Sequence, residues 1–566
     1  MISEPATAAT PLAALTLVGH GWGPGVGMGQ WGDFGYAVRY HFGYERILNH
    51  FYGGTAPATL AALHEAADPV ISVVLLENLD LATNVGYDPV VTSTAEFTVT
   101  GQALAPGPSA VTVSGGAGAA SSTTVGTASG TTSSTSSTTT STPSQPTSTA
   151  TPSTSTTAVP APSTSLVTTT SSPTTTSAAS PGGTTSPPPA VNTRRYVIRP
   201  GRAVDLRLAA DGTWSVYVAG SCAAARAVAR TGRAMATGLV DPVVTPASTQ
   251  PDAPLGKLLT VCRHDGVDER LRGRVEAYDR EGYERTLNLV RLESYVAGVV
   301  PGEVSASWGL DGAVAGAPQQ EPWGFQALEA QAVAARSYVL ARAASGGWNG
   351  YADTCDSIYC QSYVGAAYET PVSDEAVQDT AGEVRVSGSG AIVATTYSAS
   401  TGGYSAPEDF PAVPDLGDAC VVPGTPLECN PVHTWSVTVS GVALDRAFTR
   451  AGDVVSVSVA SRNRRGAFGG RVLEVIVSGE RRRVVVSGDA FAAALGLRSN
   501  WFALAAERHV AAPTTTTGPT PTVPTPTAPT SAPTTSLSPT TTAVTTTTAV
   551  TTTTSAAPTT TAAAPG

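Results

Sequence analysis

Hydrophobic positions along this chain switch between two periods, and the switches outline a fold. Short apolar runs and alternating patterns mark residues 71–76, 95–99, 196–198 and 214–218 as strands. The spacing then changes: Leu292, Tyr295, Val296 and Val299 recur every three or four positions, as on one face of a helix. Pro301-Gly302 follows and is expected to stop that helix, so that Glu303 leaves it at an irregular point. A second helix is predicted from Phe325, Leu328, Ala332, Ala335 and Val339, with Pro322 suited to its first turn. Residues 287–345 thus hold the main helical part, and residues 380–505 return to strands, as in 454–459 and 471–477. The sum is an α+β domain rich in β.

Composition changes this picture in two places. Residues 105–192 and 511–566 are dominated by Thr, Ser, Pro and Ala, and lack the apolar periodicity that offsets the entropy of ordering a chain. They read as disordered tracts with the composition of O-glycosylated stalks. The first is flanked by strand patterns on both sides. Because loop closure grows costlier only logarithmically with length, it is expected to sit in a loop of one sheet.

Charged residues make up 13% of the 566, and the net charge is −11, which argues against a nucleic-acid partner without excluding a glycan. Six cysteines group by proximity as Cys222 with Cys262, Cys355 with Cys360, and Cys420 with Cys429. An even count suggests disulfides, although six cysteines allow several connectivities. Within the first eighteen residues no basic patch precedes an apolar core, so no export signal is evident, and residues 11–18 are too short to span a bilayer. An extracellular or cell-wall location is still expected.

The chemistry centres on Glu303, a carboxylate at a helix terminus, where burial against Val299, Val300 or Trp308 favours the protonated form. The bland alternative is a surface carboxylate that ends a helix. The words around it resemble a family. Leu292-x-x-Tyr295-Val296-x-Gly298-Val299-Val300-Pro301-x-Glu303, followed by Ala327-Leu328-x-Ala330-Gln331-Ala332-Val333-Ala334-Ala335-Arg336-Ser337-Tyr338, is similar to the stage II sporulation protein D (SpoIID/LytB) family of bacterial cell-wall proteins. Asp356-Ser357-Ile358-Tyr359-Cys360-Gln361-Ser362-Tyr363, Tyr397-Ser398-Ala399-Ser400-Thr401-Gly402-Gly403, Gly469-Gly470-Arg471-Val472 and Leu495-Gly496-Leu497-Arg498-Ser499 extend the likeness.

A further box, Gly19-His20-Gly21-Trp22-Gly23-Pro24-Gly25-Val26-Gly27-Met28-Gly29-Gln30-Trp31-Gly32, resembles the family's glycine-histidine motif, but opens the chain where the family carries it after the Leu-Arg-Ser segment. A terminal segment moved from one end of a compact domain to the other can dock in the same place. Residues 15–56 and 70–104 are therefore assigned to one SpoIID-like domain with residues 193–510. A second departure is the link at residues 309–322, longer than the resemblance leads one to expect.

By resemblance, Glu303 is the catalytic acid of a lytic transglycosylase that cleaves the MurNAc-GlcNAc bond of peptidoglycan to 1,6-anhydro products. His20, Gln30, Trp31, Gln361, Tyr363, Ser400, Gly402 and Gly403 are its candidate substrate-binding residues. For each, packing or turn formation is the competing role. Arg336 is expected to pair with a carboxylate inside the domain. Some relatives use a His-Cys-Cys zinc site near Cys355 and Cys360; no histidine lies near them here, so a disulfide is favoured, and neither metal nor cofactor is expected. The competing reading is a non-catalytic glycan-binding module that modifies a cell-wall amidase, a possible partner; a third is a structural wall protein carried on extended stalks.

Overall fold

In the computed structural model the described residues are 10–80, 82–104, 191–227, 232–313, 320–419 and 430–510. They fall in one unit, Met1–Val510; the second, Ala511–Gly566, lies outside them, as do the body of the first Thr/Ser/Pro-rich tract and both Cys420 and Cys429.

The β-branched runs form strands as their pattern predicts, in a twelve-stranded sheet. Strand Val70–Val74 lies antiparallel to Tyr283–Arg291 and parallel to the two-residue strand Thr354–Cys355. Strands Phe97–Leu104 and Val191–Ile198 pair antiparallel with Leu104 opposite Val191, so the chain leaves and re-enters this sheet at one point across the first low-complexity tract. Two disulfides tie the sheet's surroundings. Cys222, which opens a short helix, joins Cys262, and Cys355 joins Cys360.

The candidate chemistry is carried by the helices Gln30–Tyr40 and Leu292–Glu303, both packed on Phe325–Ala344. We label the helices α1 (Gln30–Tyr40), α2 (Tyr44–Phe51), α3 (Cys222–Ala227), α4 (Leu292–Glu303) and α5 (Phe325–Ala344). The strand Tyr283–Arg291 runs straight into α4, so the helical part begins at Leu292 rather than at residue 287. Nor does Pro301 end α4, which continues to Glu303. Proline removes one N–H, but the turn is closed by Val304 N donating to Val300 O at 3.0 Å, and only two residues remain beyond the proline. Phe325, Leu328, Ala332, Ala335 and Val339 of α5 are all buried, together with residues on its other faces, because α5 is packed on by α1, α2 and α4. Arg336 is fully buried on it and binds Glu293 of α4.

The N-terminal segment enters the fold at two levels. Strand Leu12–His20 is the centre of a three-stranded sheet, between Thr434–Ser440 and Phe502–His509, and Val510 N donates to Pro11 O at 2.9 Å. The first and last described strands are therefore antiparallel neighbours whose ends meet. Leu12, Leu15 and Leu17 pack with Phe448, Val475, Phe491 and Phe502 in a second hydrophobic core. Beyond this strand, Gly29 and Gly32, before and within α1, face the Asp415 carboxylate, and Gly35 of α1 lies against the turn Leu416–Asp418. A Cβ on Gly35 would lie 2.0 Å from the Gly417 carbonyl oxygen, and neither backbone can yield locally. Gly35→Ala is therefore expected to cost about 1–3 kcal/mol of stability by overpacking; a urea midpoint unchanged from wild type would show that α1 docks otherwise.

Candidate active site

Glu303 is presented by two devices that begin in the sequence. First, as the last residue of α4, its side chain projects from the end of a helix anchored by buried Leu292, Tyr295, Val296 and Val299. Second, Gly302 lacks a side chain where the backbone of Ser362 passes: a Cβ there would lie 2.2 Å from Ser362 O. That close approach delivers the Ser362 N–H to Glu303 Oε1 at 2.6 Å. Gln30, at the start of α1, donates from Nε2 to Glu303 Oε2 at 3.1 Å, and the Tyr397 hydroxyl also bonds the carboxylate.

Tyr397 is itself held in place. Gln361 Nε2 donates to its hydroxyl at 2.8 Å and to Ala335 O at 3.3 Å, while Gln361 Oε1 accepts from the Tyr295 hydroxyl at 2.9 Å. A buried chain, Tyr295 to Gln361 to Tyr397, thus ends on the carboxylate. Desolvation raises the Glu303 carboxyl above its usual range, and the Ser362, Gln30 and Tyr397 donors oppose that rise. The group is kept ready to hold a proton without being stripped of partners.

Glu303 faces a cleft of about 850 Å³ whose lining includes Gln30, Trp31, Phe34, Trp308, Asp311 and Ala399. Trp308 stacks on Phe34 with ring centroids 4.6 Å apart and meets Trp31 edge to face at 4.9 Å. The cleft thus has a rigid aromatic wall beside one desolvated acid.

The candidate residues divide into three groups. Gln30 and Trp31 line the cleft with Glu303. Gln361 and Tyr363 are buried: Gln361 reaches the acid only through Tyr397, and the Tyr363 hydroxyl donates to Asn288 Oδ1 at 2.9 Å while its ring stacks on Tyr295. His20, Ser400, Gly402 and Gly403 gather instead around the buried Asp418. Its Oδ2 accepts from Ser400 Oγ at 2.9 Å and Gly402 N at 3.0 Å, and lies 2.7 Å from His433 Nδ1. Gly402 and Gly403 have φ of 80° and 104°, a left-handed conformation that side chains disfavour, and a Cβ on Gly402 would press on His20 at 2.8 Å. The His20 ring packs on His433, Phe468 and Trp501, and burial lowers its proton affinity. The segment 397–400 links the groups, because Trp31 N donates to Ala399 O and Trp22 N to Ser400 O.

Two participants escaped the sequence reading of the site. Ser362 acts through its backbone N–H, which every non-proline residue carries. Tyr397 stood inside a quoted motif, and its hydroxyl was the available signal. Cys355 and Cys360 are spent on a disulfide, so they do not supply free thiolates.

No curated protein and no solved structure matches the chain. Residues 280–386 match the family model described as Stage II sporulation protein, a span that holds α4, Glu303, the whole of α5 and the disulfide-closed loop, and over that span the chain is similar to the SpoIID family.

Proposed function

We propose that the protein is an exported peptidoglycan lytic transglycosylase in which Glu303 is the single acid and base. The family match over residues 280–386 supports a sporulation or cell-wall-related role, and with it peptidoglycan lysis. The observation that carries the finer reading is Glu303 itself: a desolvated carboxyl at the foot of an aromatic cleft, its two oxygens separately held by Ser362 N and Gln30 Nε2.

In this mechanism protonated Glu303 gives its proton to the glycosidic oxygen as the C1–O bond breaks and positive charge develops at C1. The resulting carboxylate then takes the proton of the same sugar's 6-hydroxyl while O6 bonds to C1. The products are a new 4-hydroxyl end and a 1,6-anhydro ring, and Glu303 ends protonated as it began. Gln30 and Ser362 stabilise the transient carboxylate, and the tryptophan wall limits the access of water to C1. Two disulfides fit an oxidising, extracytoplasmic compartment, and no described helix is long and apolar enough to cross a membrane. Glycan strands are the proposed substrate; a wall amidase remains a proposed partner without a surface assigned to it.

The pH dependence tests this reading. Because the folded protein holds the Glu303 proton more tightly than an ordinary carboxyl, turnover should persist through the usual carboxylate range and fall as pH rises through the raised pKa. Gln30→Ala removes a donor to the charged form, so the alkaline limb should move further upward. A rate that rises with pH in this region, or a limb that moves downward in Gln30→Ala, would exclude Glu303 as the acid.

A further inference from the structure

Gln331 is fully buried on α5 and is not among the residues that line the cleft. Its side chain makes one polar contact among the described residues: Oε1 accepts from Gln30 Nε2 at 3.5 Å, a long bond. Its own Nε2 has no hydrogen-bond partner among them. The neighbouring helix positions Leu328, Ala330, Ala332, Val333 and Ala335 are buried and apolar. A buried amide donor without a partner costs stability, and an apolar side chain of the same size would avoid that cost. A polar group left unpaired in a packed core calls for a reason.

Its contact with Gln30 supplies one. An ionised carboxylate only accepts, so Glu303 Oε2 takes the Gln30 amide nitrogen inward, at 3.1 Å. That nitrogen carries two hydrogens, and Gln331 Oε1 is the acceptor in reach of the second. Turned over alone, the Gln30 amide would set its oxygen against Glu303 Oε2 on one side and Gln331 Oε1 on the other. Gln331 thus pairs the right orientation of Gln30 and penalises the wrong one. Turning both amides together still sets the Gln30 oxygen against Glu303, which requires a proton on Oε2. Gln30 opens α1 and lines the cleft, where water and sugar hydroxyls compete for its amide, so a second anchor matters there.

We propose that Gln331 is a positioning residue for the acid, holding the Gln30 amide with its nitrogen toward Glu303 at the stage when the carboxylate forms. Its effect on turnover rests on the transglycosylase reading of Glu303. Its effect on the Glu303 proton needs no turnover.

Gln331→Met in the full chain keeps the size of the side chain and removes the amide. The thermal midpoint should equal or exceed that of wild type, because the unpaired donor is gone. The Glu303 carboxyl, followed by carbon NMR and identified by its absence in Glu303→Gln, should titrate at higher pH than in wild type, since the charged form loses part of its Gln30 donor. The upward move should be smaller than in Gln30→Ala. For glycan-strand cleavage kcat should fall about tenfold, less than the roughly hundredfold that losing a direct donor to a developing negative charge costs, with KM changed by no more than about twofold. In a Gln30→Ala background, Gln331→Met should alter neither titration nor rate further, because Gln331 acts through Gln30. An unchanged Glu303 titration, an equal further change in the Gln30→Ala background, or a thermal midpoint well below wild type, which would make Gln331 a packing residue, would overturn the proposal. A shifted titration in a protein that cleaves no strand would keep the placement of Gln30 and end the transglycosylase reading instead.

Discussion

Replacing Glu303 by glutamine is expected to lower the rate of glycan-strand cleavage by about 10³-fold, within the range general acid–base catalysis supplies, and to leave the fold intact. Glutamine keeps the size of the side chain, its one oxygen can still accept from Ser362 N, and its amide nitrogen can donate to Gln30 once that amide turns its oxygen inward, but it cannot give up a proton. Stability should move in the opposite direction to activity. The folded-state proton affinity of Glu303 is raised, so its contribution to stability is full below the ordinary carboxylate range and lost as pH rises through the raised pKa. Above the ordinary carboxylate range, keeping this carboxyl in its desolvated site is a cost that glutamine removes. Glu303→Gln should therefore match or exceed wild type in thermal midpoint at pH 7, as expected where a site is tuned for chemistry rather than stability. A variant that loses both activity and stability would mean that Glu303 is a structural helix end.

The largest effect on stability is expected at Arg336→Met. The guanidinium is fully buried and binds Glu293 twice, Nη2 to Oε2 at 2.7 Å and Nε to Oε1 at 3.0 Å, while also donating to the carbonyls of Glu383 and Val377. Glu293 in turn accepts from Gly382 N, so one pair joins α4, α5 and the turn before strand Glu383–Val386. Methionine fills much of the volume but strands a carboxylate and two carbonyls. Breaking a buried pair on one side costs about 3–5 kcal/mol. The midpoint of urea unfolding should fall accordingly, and Glu293→Gln added to Arg336→Met should recover part of the loss. If the single variant unfolds at the wild-type midpoint, α4 and α5 are held by apolar packing alone.

What could be read in advance follows the range of the interactions. The apolar spacing of α4 and α5 and the strand runs are local patterns, and the structure keeps them. The end of α4 was misread because proline's missing N–H is a local rule, whereas the helix is carried past Pro301 by the Val304 bond and by Ser362 packing on Gly302. Glu303 stood out because the motif words around it resemble those of a family; a carboxylate at a helix end, taken alone, reads as a surface group. Its bonds did not stand out: Gln30, named as a substrate-binding candidate, lies 273 residues away and holds the acid itself, and Ser362 contributes only backbone. Gln361 and Tyr363 share one motif yet spend their polar groups inside the domain, on Tyr397 and Asn288. Neither spacing nor composition distinguishes a polar group that faces a cleft from one already satisfied in the core.

The most direct test of the proposed chemistry is the mass of the ends that cleavage creates. Peptidoglycan glycan strands incubated with the wild-type protein and analysed by mass spectrometry should yield 1,6-anhydro-N-acetylmuramic acid ends, absent with Glu303→Gln, because O6 and not water completes the displacement at C1. Reducing ends in place of anhydro ends would contradict that account: water would then be the nucleophile, and a second carboxylate, with Asp311 the one at hand in the cleft, would have to share the work.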